Sequence, residues 1–192
     1  MVPEAPLEQT EHGLFAAGAG WFVLNLREAR WFDRGLGLEA GMGGKGDFPQ
    51  VGIGLSVLGP GEPLAMYHWE TDQEGFLVLA GEPLLIIEGE ERRLRPWDFV
   101  HCPPKTEHVI VGAGETPSVV FRVGARQHHV VRLPDGTTEG APDWGAYTVD
   151  EAAIRHGAGV EAQTRDAGEA YAHIAHNRDP RPLRYRDGWL PG

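Results

Sequence analysis

The stretch "YHWETDQEGFLVLAGE", residues 67–82, joins a histidine and several acidic residues to an apolar run suited to a buried β-strand. On a strand, residues two apart face the same side, so His68 and Glu70 project together while Tyr67 and Trp69 take the other face. Glu74 opens the next strand after the short "TDQ" connection, and in an antiparallel hairpin it reaches the same patch. A register slip of one residue reverses these faces, sending His68 and Glu70 to solvent and Tyr67 and Trp69 to the core. A second histidine, His108, opens "HVIV" just past the proline turn "CPPKTE". Two imidazoles with one or two carboxylates, brought from separate strands, are a donor set for a divalent ion. Imidazole and carboxylate together suit Fe, Mn, Zn, Ni or Co.

Around this stretch the chain from residue 51 onward reads as short β-like runs broken by turn residues. "VGIGLSVL" ends at "GPGEP", "LAMYHWE" at "TDQ", "GFLVLA" at "GEP", "LLIIE" at "GEE" and "DFVHC" at "PPKT". "EHVIVGAG" then leads through "ETP" to "SVVFRVGA" and "HHVVRL". Strands spaced at ten or so residues, with no helical period between them, predict an all-β antiparallel sandwich or barrel. We expect the barrel over about 50–133, an N-terminal extension and Gly-rich loop over 1–49, and a small helical appendage and tail over 134–192. In the appendage, "VDEAAIRHGAG" reads as a helix capped by Asp150 and stopped by Gly157, and "RDAGEAYAHIAH" as another, with Asp166 and Glu169 in a capping-box arrangement. The first dozen residues read as a mobile arm. The apolar start of "WFVLNLREARW" (21–31) predicts a strand followed by a turn or short helix.

The Gly-rich loop contains "GGKG", which is not a phosphate loop. Gly46 follows Lys45 where Ser or Thr is needed, and Glu39 stands at the upstream glycine position. "GAG" at 18–20 is too short for a dinucleotide fingerprint. The formal net charge of -11 opposes binding to nucleic acid or to an anionic membrane. The arginines of "NRDPRPLRYRDGW" are interleaved with Asp179 and Asp187, which predicts a tail packed on its own domain or on a second subunit. The single cysteine, Cys102, leaves no intrachain disulfide, which fits a reducing compartment. No signal-peptide pattern or membrane-spanning run is read, so the expected location is cytoplasmic.

These motifs resemble those of the cupin superfamily, whose fold is the double-stranded β-helix or jelly-roll barrel. The family's first motif runs His-x-His, a Glu a few residues on, then six residues and a Gly. Here His68, Glu70 in the second histidine's place, Glu74 and Gly81 follow that spacing. Its second motif matches "WDFVHCPPKTEH", with Pro103 and His108 at the expected positions. Trp97 and Lys105 replace glycines of that motif, and Gly112 stands where Asn is common. The resemblance covers roughly residues 52–125, and the flanks resemble those of bacterial single-domain cupins.

What the resemblance implies is a metal centre of His68, Glu74 and His108 with open positions, in which Glu70 is a fourth ligand or the general base. If two carboxylates share the site, a cation must neutralise them, either the metal or an inward arginine such as Arg122. The expected cofactor is a divalent ion (Fe, Zn, Mn or Ni) and the expected partner a small-molecule ligand, with dioxygenase, isomerase or decarboxylase chemistry. The alternatives are a non-catalytic cupin binding a sugar-like ligand, and a structural barrel that forms a homodimer. Lys105, three residues before His108, is expected to close the mouth or to meet an anionic ligand. Cys102 reads as a buried small hydrophobe. His101 and the pair His128–His129 read as strand or surface residues, and His173 and His176 as a helix end.

Overall fold

The computed structural model describes residues 1–43, 50–128, 130–132, 138–140, 143–174 and 179–192. The N-terminal region carries β1 (Leu7–Thr10), β2 (Gly13–Ala16), β3 (Arg30–Asp33) and β4 (Leu38–Ala40). The central run carries β5 (Val51–Leu58), β6 (His68–Glu70), β7 (Glu74–Ala80), β8 (Leu84–Ile87), β9 (Glu90–Arg93), β10 (Phe99–Cys102), β11 (His108–Val111) and β12 (Ser118–Ala125). There follow β13 (Val130–Arg132), β14 (Thr138–Gly140), β15 (Gly145–Tyr147), α1 (Glu151–Arg155), α2 (Ala167–Ala170) and β16 (Arg181–Arg184). Of the sequence features singled out, Lys45 of the glycine loop, His129 and His176 lie outside the described residues.

Two antiparallel sheets make the barrel that the strand spacing predicts. One has seven strands in the order β10-β7-β12-β5-β4-β3-β16, the other five in the order β15-β6-β11-β8-β9. Period-2 alternation decides what faces inward. Leu58, Phe76, Val78, Leu85, Val100, Cys102, Ile110 and Val120 close the interior between the sheets. The outward residues are covered as well. Trp31, Leu55, Val57 and Val119 pack with Tyr185, Trp189 and Leu190 of the C-terminal tail, while Tyr67, Ile86, Val109 and Val111 pack under Ala152, Ala153 and Ala158 of the α1 region. Burial on both faces resolves the register question at β6, since Tyr67 and His68 are both buried. The arginine-rich tail packs on its own chain. Arg181 pairs with Asp33 at 2.6 Å, and Arg184 donates to the Glu11 carbonyl.

Several local expectations are corrected. The first dozen residues are not a free arm, because Leu7–Thr10 pairs with Gly13–Ala16 in a hairpin. The strand expected at "WFVLN" starts instead at Arg30, where Trp31 can enter the cluster under the tail. The "GEE" read as a turn continues into β9, with Glu88 and Gly89 making the bend at positive φ. The α1 helix has its Asp150 cap, accepting from the Ala153 N–H at 2.7 Å, and a following Gly157 at φ +70°. The α2 capping box is replaced by a local variant. Glu169 accepts from the Thr164 hydroxyl, while Asp166 accepts from the Gly168 N–H. No helix among the described residues is long and apolar enough to cross a membrane.

The motif glycines and their replacements have a backbone explanation. Gly81 sits at φ +78°, and a Cβ there would lie 2.6 Å from the Ser118 Cα. A Cβ on Gly112 would lie 2.1 Å from the Gly59 carbonyl oxygen, so no side chain fits without moving the chain. Trp97 and Lys105 adopt φ +76° and +71°, the left-handed region that glycine enters without steric cost. Lys105 is exposed, so its replacement loses no packing. Lys105→Gly is therefore expected to raise stability by ~0.5–1 kcal/mol, the left-handed penalty less the extra chain entropy of glycine. Denaturant midpoints at unchanged slope check this, and a loss of stability would mean that the lysine side chain has a structural role.

Candidate metal centre

The centre is assembled by strand register. In the five-stranded sheet, His68 of β6 is the direct partner of His108 at the start of β11. Their rings stand 5.0 Å apart between centroids. Glu74 comes from the other sheet, as the first residue of β7, opposite Cys102 of β10 and Gly124 of β12. Three donors thus meet across the barrel interior. His108 Nε2 lies 3.3 Å and His68 Nε2 3.8 Å from Glu74 Oε2. One ligand atom from each of the three lies within 4.8 Å of the others, a group that can hold a metal ion.

The imidazoles are oriented by the same device. His68 Nδ1 is 2.7 Å from the Met66 carbonyl and His108 Nδ1 is 3.0 Å from the Thr106 carbonyl, each two residues upstream. A carbonyl oxygen can only accept, so each Nδ1 carries a proton and each Nε2 is aimed into the barrel. The inner atoms are incompletely satisfied. Buried Glu74 Oε2 and His108 Nε2 have no aligned hydrogen-bond partner despite their 3.3 Å approach. Buried polar atoms are normally paired, so this pair of orphans fits a bound cation. Burial alone would raise the Glu74 carboxyl, but His108, His68 and Arg122 hold it below the ordinary carboxylate range. Burial alone would lower His108, but Cys102 and Glu74 beside it push it up to about 10.

Glu70 stands next to this group rather than within it. Its Oε1 is 3.7 Å from His68 Nε2, and its side chain is 32% exposed against 16% for Glu74. Beside it opens a cleft of about 250 Å³ lined by Glu70, Glu74, Arg122, Arg126 and the β5 residues Gly52 to Gly54. His101 and His173 are exposed and away from the centre. His128 does more than a surface residue. Its backbone N–H and Nδ1 each lie 2.8 Å from an oxygen of buried Asp72. That contact ties the chain beyond β12 to the connection between the strands bearing His68 and Glu74. Cys102 is buried as expected, but its thiol also faces His108.

Some contributors were missed from sequence. Tyr147 lies on β15, a strand within the segment expected as a helical appendage and tail, and its ring is 5.9 Å from that of His68. Tyr147 is hydrogen-bonded to Tyr171, whose hydroxyl accepts from the Met66 N–H at 3.2 Å. Met66 is the residue whose carbonyl orients His68, so the helical appendage braces a candidate ligand. Nothing in the local sequence pattern marks the Gly145–Tyr147 strand, which is three residues long and lacks an alternating run.

An antiparallel barrel of two sheets, with two histidines and a carboxylate facing each other inside, is a double-stranded β-helix with a candidate metal centre. Residues 54–124, the central part of this barrel, match the cupin domain. Among solved structures, the chain is similar to an Acidithiobacillus ferrooxidans protein provisionally named a sugar phosphate isomerase. That match has 27% identity and a TM-score of 0.41, over 47% of this chain and 65% of that one, so this chain spans just under two thirds of it. It is also similar to an RmlC-like cupin from Shewanella frigidimarina, at 16% identity and a TM-score of 0.48, over 56% of this chain and 92% of that one. A third is an RmlC-like cupin family protein with a double-stranded β-helix fold from Methanocaldococcus jannaschii, at 21% identity and a TM-score of 0.39, over 42% and 73% of the two chains. No functionally curated protein matches the sequence.

Proposed function

We propose that this protein is a metal-dependent enzyme that moves a proton on a small, oxygen-bearing molecule, as in the isomerisation of a sugar-like or keto–enol compound. The observation that carries the reading is the trio His68, Glu74 and His108, with buried donor atoms that lack aligned partners and a carboxylate, Glu70, at its edge. His68, Glu74 and His108 would hold the ion. A bound divalent ion supplies a Lewis acid that polarises an oxygen of the ligand. Phe76 packs against the His108 ring at 5.3 Å between centroids, so the barrel interior would keep water from that side of a bound ion. Glu70, about one third exposed at the edge of the cleft, would take a proton from the ligand and return it.

The test separates a base from a ligand. Glu70→Gln is expected to keep its metal while losing at least about a hundredfold in hydrogen–deuterium exchange at the carbon next to a carbonyl, followed by NMR across a panel of small hydroxy-ketones. Loss of metal in Glu70→Gln would make Glu70 a fourth ligand instead. Ligand binding without exchange, undiminished in metal-free protein, would favour a non-catalytic module. Turnover that depends on a redox-active ion and on O₂ would replace proton transfer by dioxygenation.

A further inference from the structure

Arg122 lies on β12 in the inward phase, between Val120 and Gly124, and lines the cleft beside Glu74. Its Nη2 meets Glu39 Oε1 at 2.6 Å, while Arg34 Nε meets Glu39 Oε2 at 2.8 Å. Two guanidiniums thus share one carboxylate, which leaves one positive charge unmatched within the triad. Arg122 also acts on Glu74, helping to hold that carboxyl ionised. Once Glu74 serves a cation, this part of its charge is committed elsewhere, and Arg122 retains only its share of Glu39. The chain makes room for the guanidinium. Gly54 is the register partner of Arg122, and a Cβ there would fall 2.2 Å from Arg122 Nε. Gly52, the next inward position on β5, opens the same strip beneath Arg126.

We propose that Arg122, whose guanidinium is shared with Glu39, recognises an oxyanion on the ligand, so that the substrate is a small anion with a carboxylate or phosphate at the Arg122 end and an oxygen donor directed at the His68–Glu74–His108 trio. This specifies the substrate class of the metal-site reading above and rests on it. Guanidinium forks match both oxyanions. A cleft of about 250 Å³ is small, since drug-sized ligands occupy ~300–1,000 Å³. Glu39 is the internal competitor, occupying the guanidiniums until an external anion displaces part of that contact.

Calorimetric titration of the full chain with inorganic phosphate and, separately, propionate, in metal-free and Mn²⁺-loaded forms, tests this. Arg122→Gln is expected to weaken anion binding by about tenfold or more, whereas Glu39→Gln, which removes the competitor, strengthens it, and metal stoichiometry stays the same in all three proteins. Preference for phosphate identifies a phosphorylated substrate, and preference for propionate a carboxylic acid. Binding of neither anion, or affinities unchanged in both variants, overturns the proposal. If Arg122→Gln does not fold, Glu39→Gln decides alone, and unchanged affinity there overturns it. Failure of the metal reading is distinguishable: the protein takes up no metal, yet the Arg122-dependent anion binding persists.

Discussion

The His108→Ala protein is expected to retain less than about a tenth of the metal carried by the wild type, since loss of even an outer-shell partner costs ~10–100-fold in affinity and His108 is a proposed ligand. His108 is the best single probe because its other interactions are few: the Thr106 carbonyl on Nδ1, Glu74 and Cys102 on the inner side, and packing against His68 and Phe76. Its removal leaves Glu74 buried with less positive charge, so Glu74 should protonate more readily and the metal-free fold should lose roughly 3 kcal/mol, the order found when one partner of a buried pair is deleted. His108→Gln keeps a polar side chain and should lose the metal with a smaller loss of stability. Metal content by mass spectrometry, on protein without a histidine tag, reads the first effect, and urea unfolding of the metal-free forms reads the second. About one equivalent of metal in the wild type, undiminished in both variants, would place the ion elsewhere and remove the basis for the proposed activity.

The trio was legible in the sequence because its strands are regular. "VGIGLSVL" and "SVVFRVGA" appear as β5 and β12 with the limits read from the turns, and the short "TDQ" connection places Glu74 within reach of His68. The same period-2 reading of "SVVFRVGA" puts Arg122 in phase with Val120 and so inside the barrel. What alternation could not supply was its partner. Glu39 is carried by β4, only three residues long, a strand inside the stretch "GLGLEAGMGGKGDFPQ" expected as a flexible glycine-rich loop, which reaches the main sheet by pairing with β5. Two short parallels exist. Tyr147 enters through a three-residue strand and Leu183 through a tail strand with little burial, so pairing with an existing edge, rather than intrinsic pattern, determines both. Long-range edge pairing is what a local reading of sequence lacks. The replacements Trp97 and Lys105 illustrate the converse. The turns kept their left-handed geometry although the glycines were gone, because the surrounding strands over-determine it.

Metal uptake is expected to release a proton, and to strengthen with rising pH by about tenfold per unit until the pH approaches that of the His108 titration. His108 in the metal-free fold is pushed up to about 10 from its ordinary 6.5, so at neutral pH its Nε2 bears a proton that an incoming ion must displace. Glu74 is held below its ordinary 4.5 and is already ionised, so it contributes no proton at neutral pH. The sign for the metal-free fold is opposite. A group raised on folding stabilises the fold fully below its unfolded value and loses that contribution as pH climbs through its folded value. The metal-free protein should therefore lose stability between pH 6.5 and about 10, the window in which the metal binds more tightly. Titration calorimetry in buffers of different ionisation enthalpy counts the protons, and thermal unfolding across the same range reads the fold. Uptake without proton release, together with a flat metal-free stability profile, would mean that His108 is already neutral, leaving Glu74 without the charge pairing that holds it ionised in the barrel. Parallel pH trends in the two forms would argue that the ion binds away from His108. Divergence of the two profiles is specific to a centre in which a buried His108–Glu74 charge pair is exchanged for a cation.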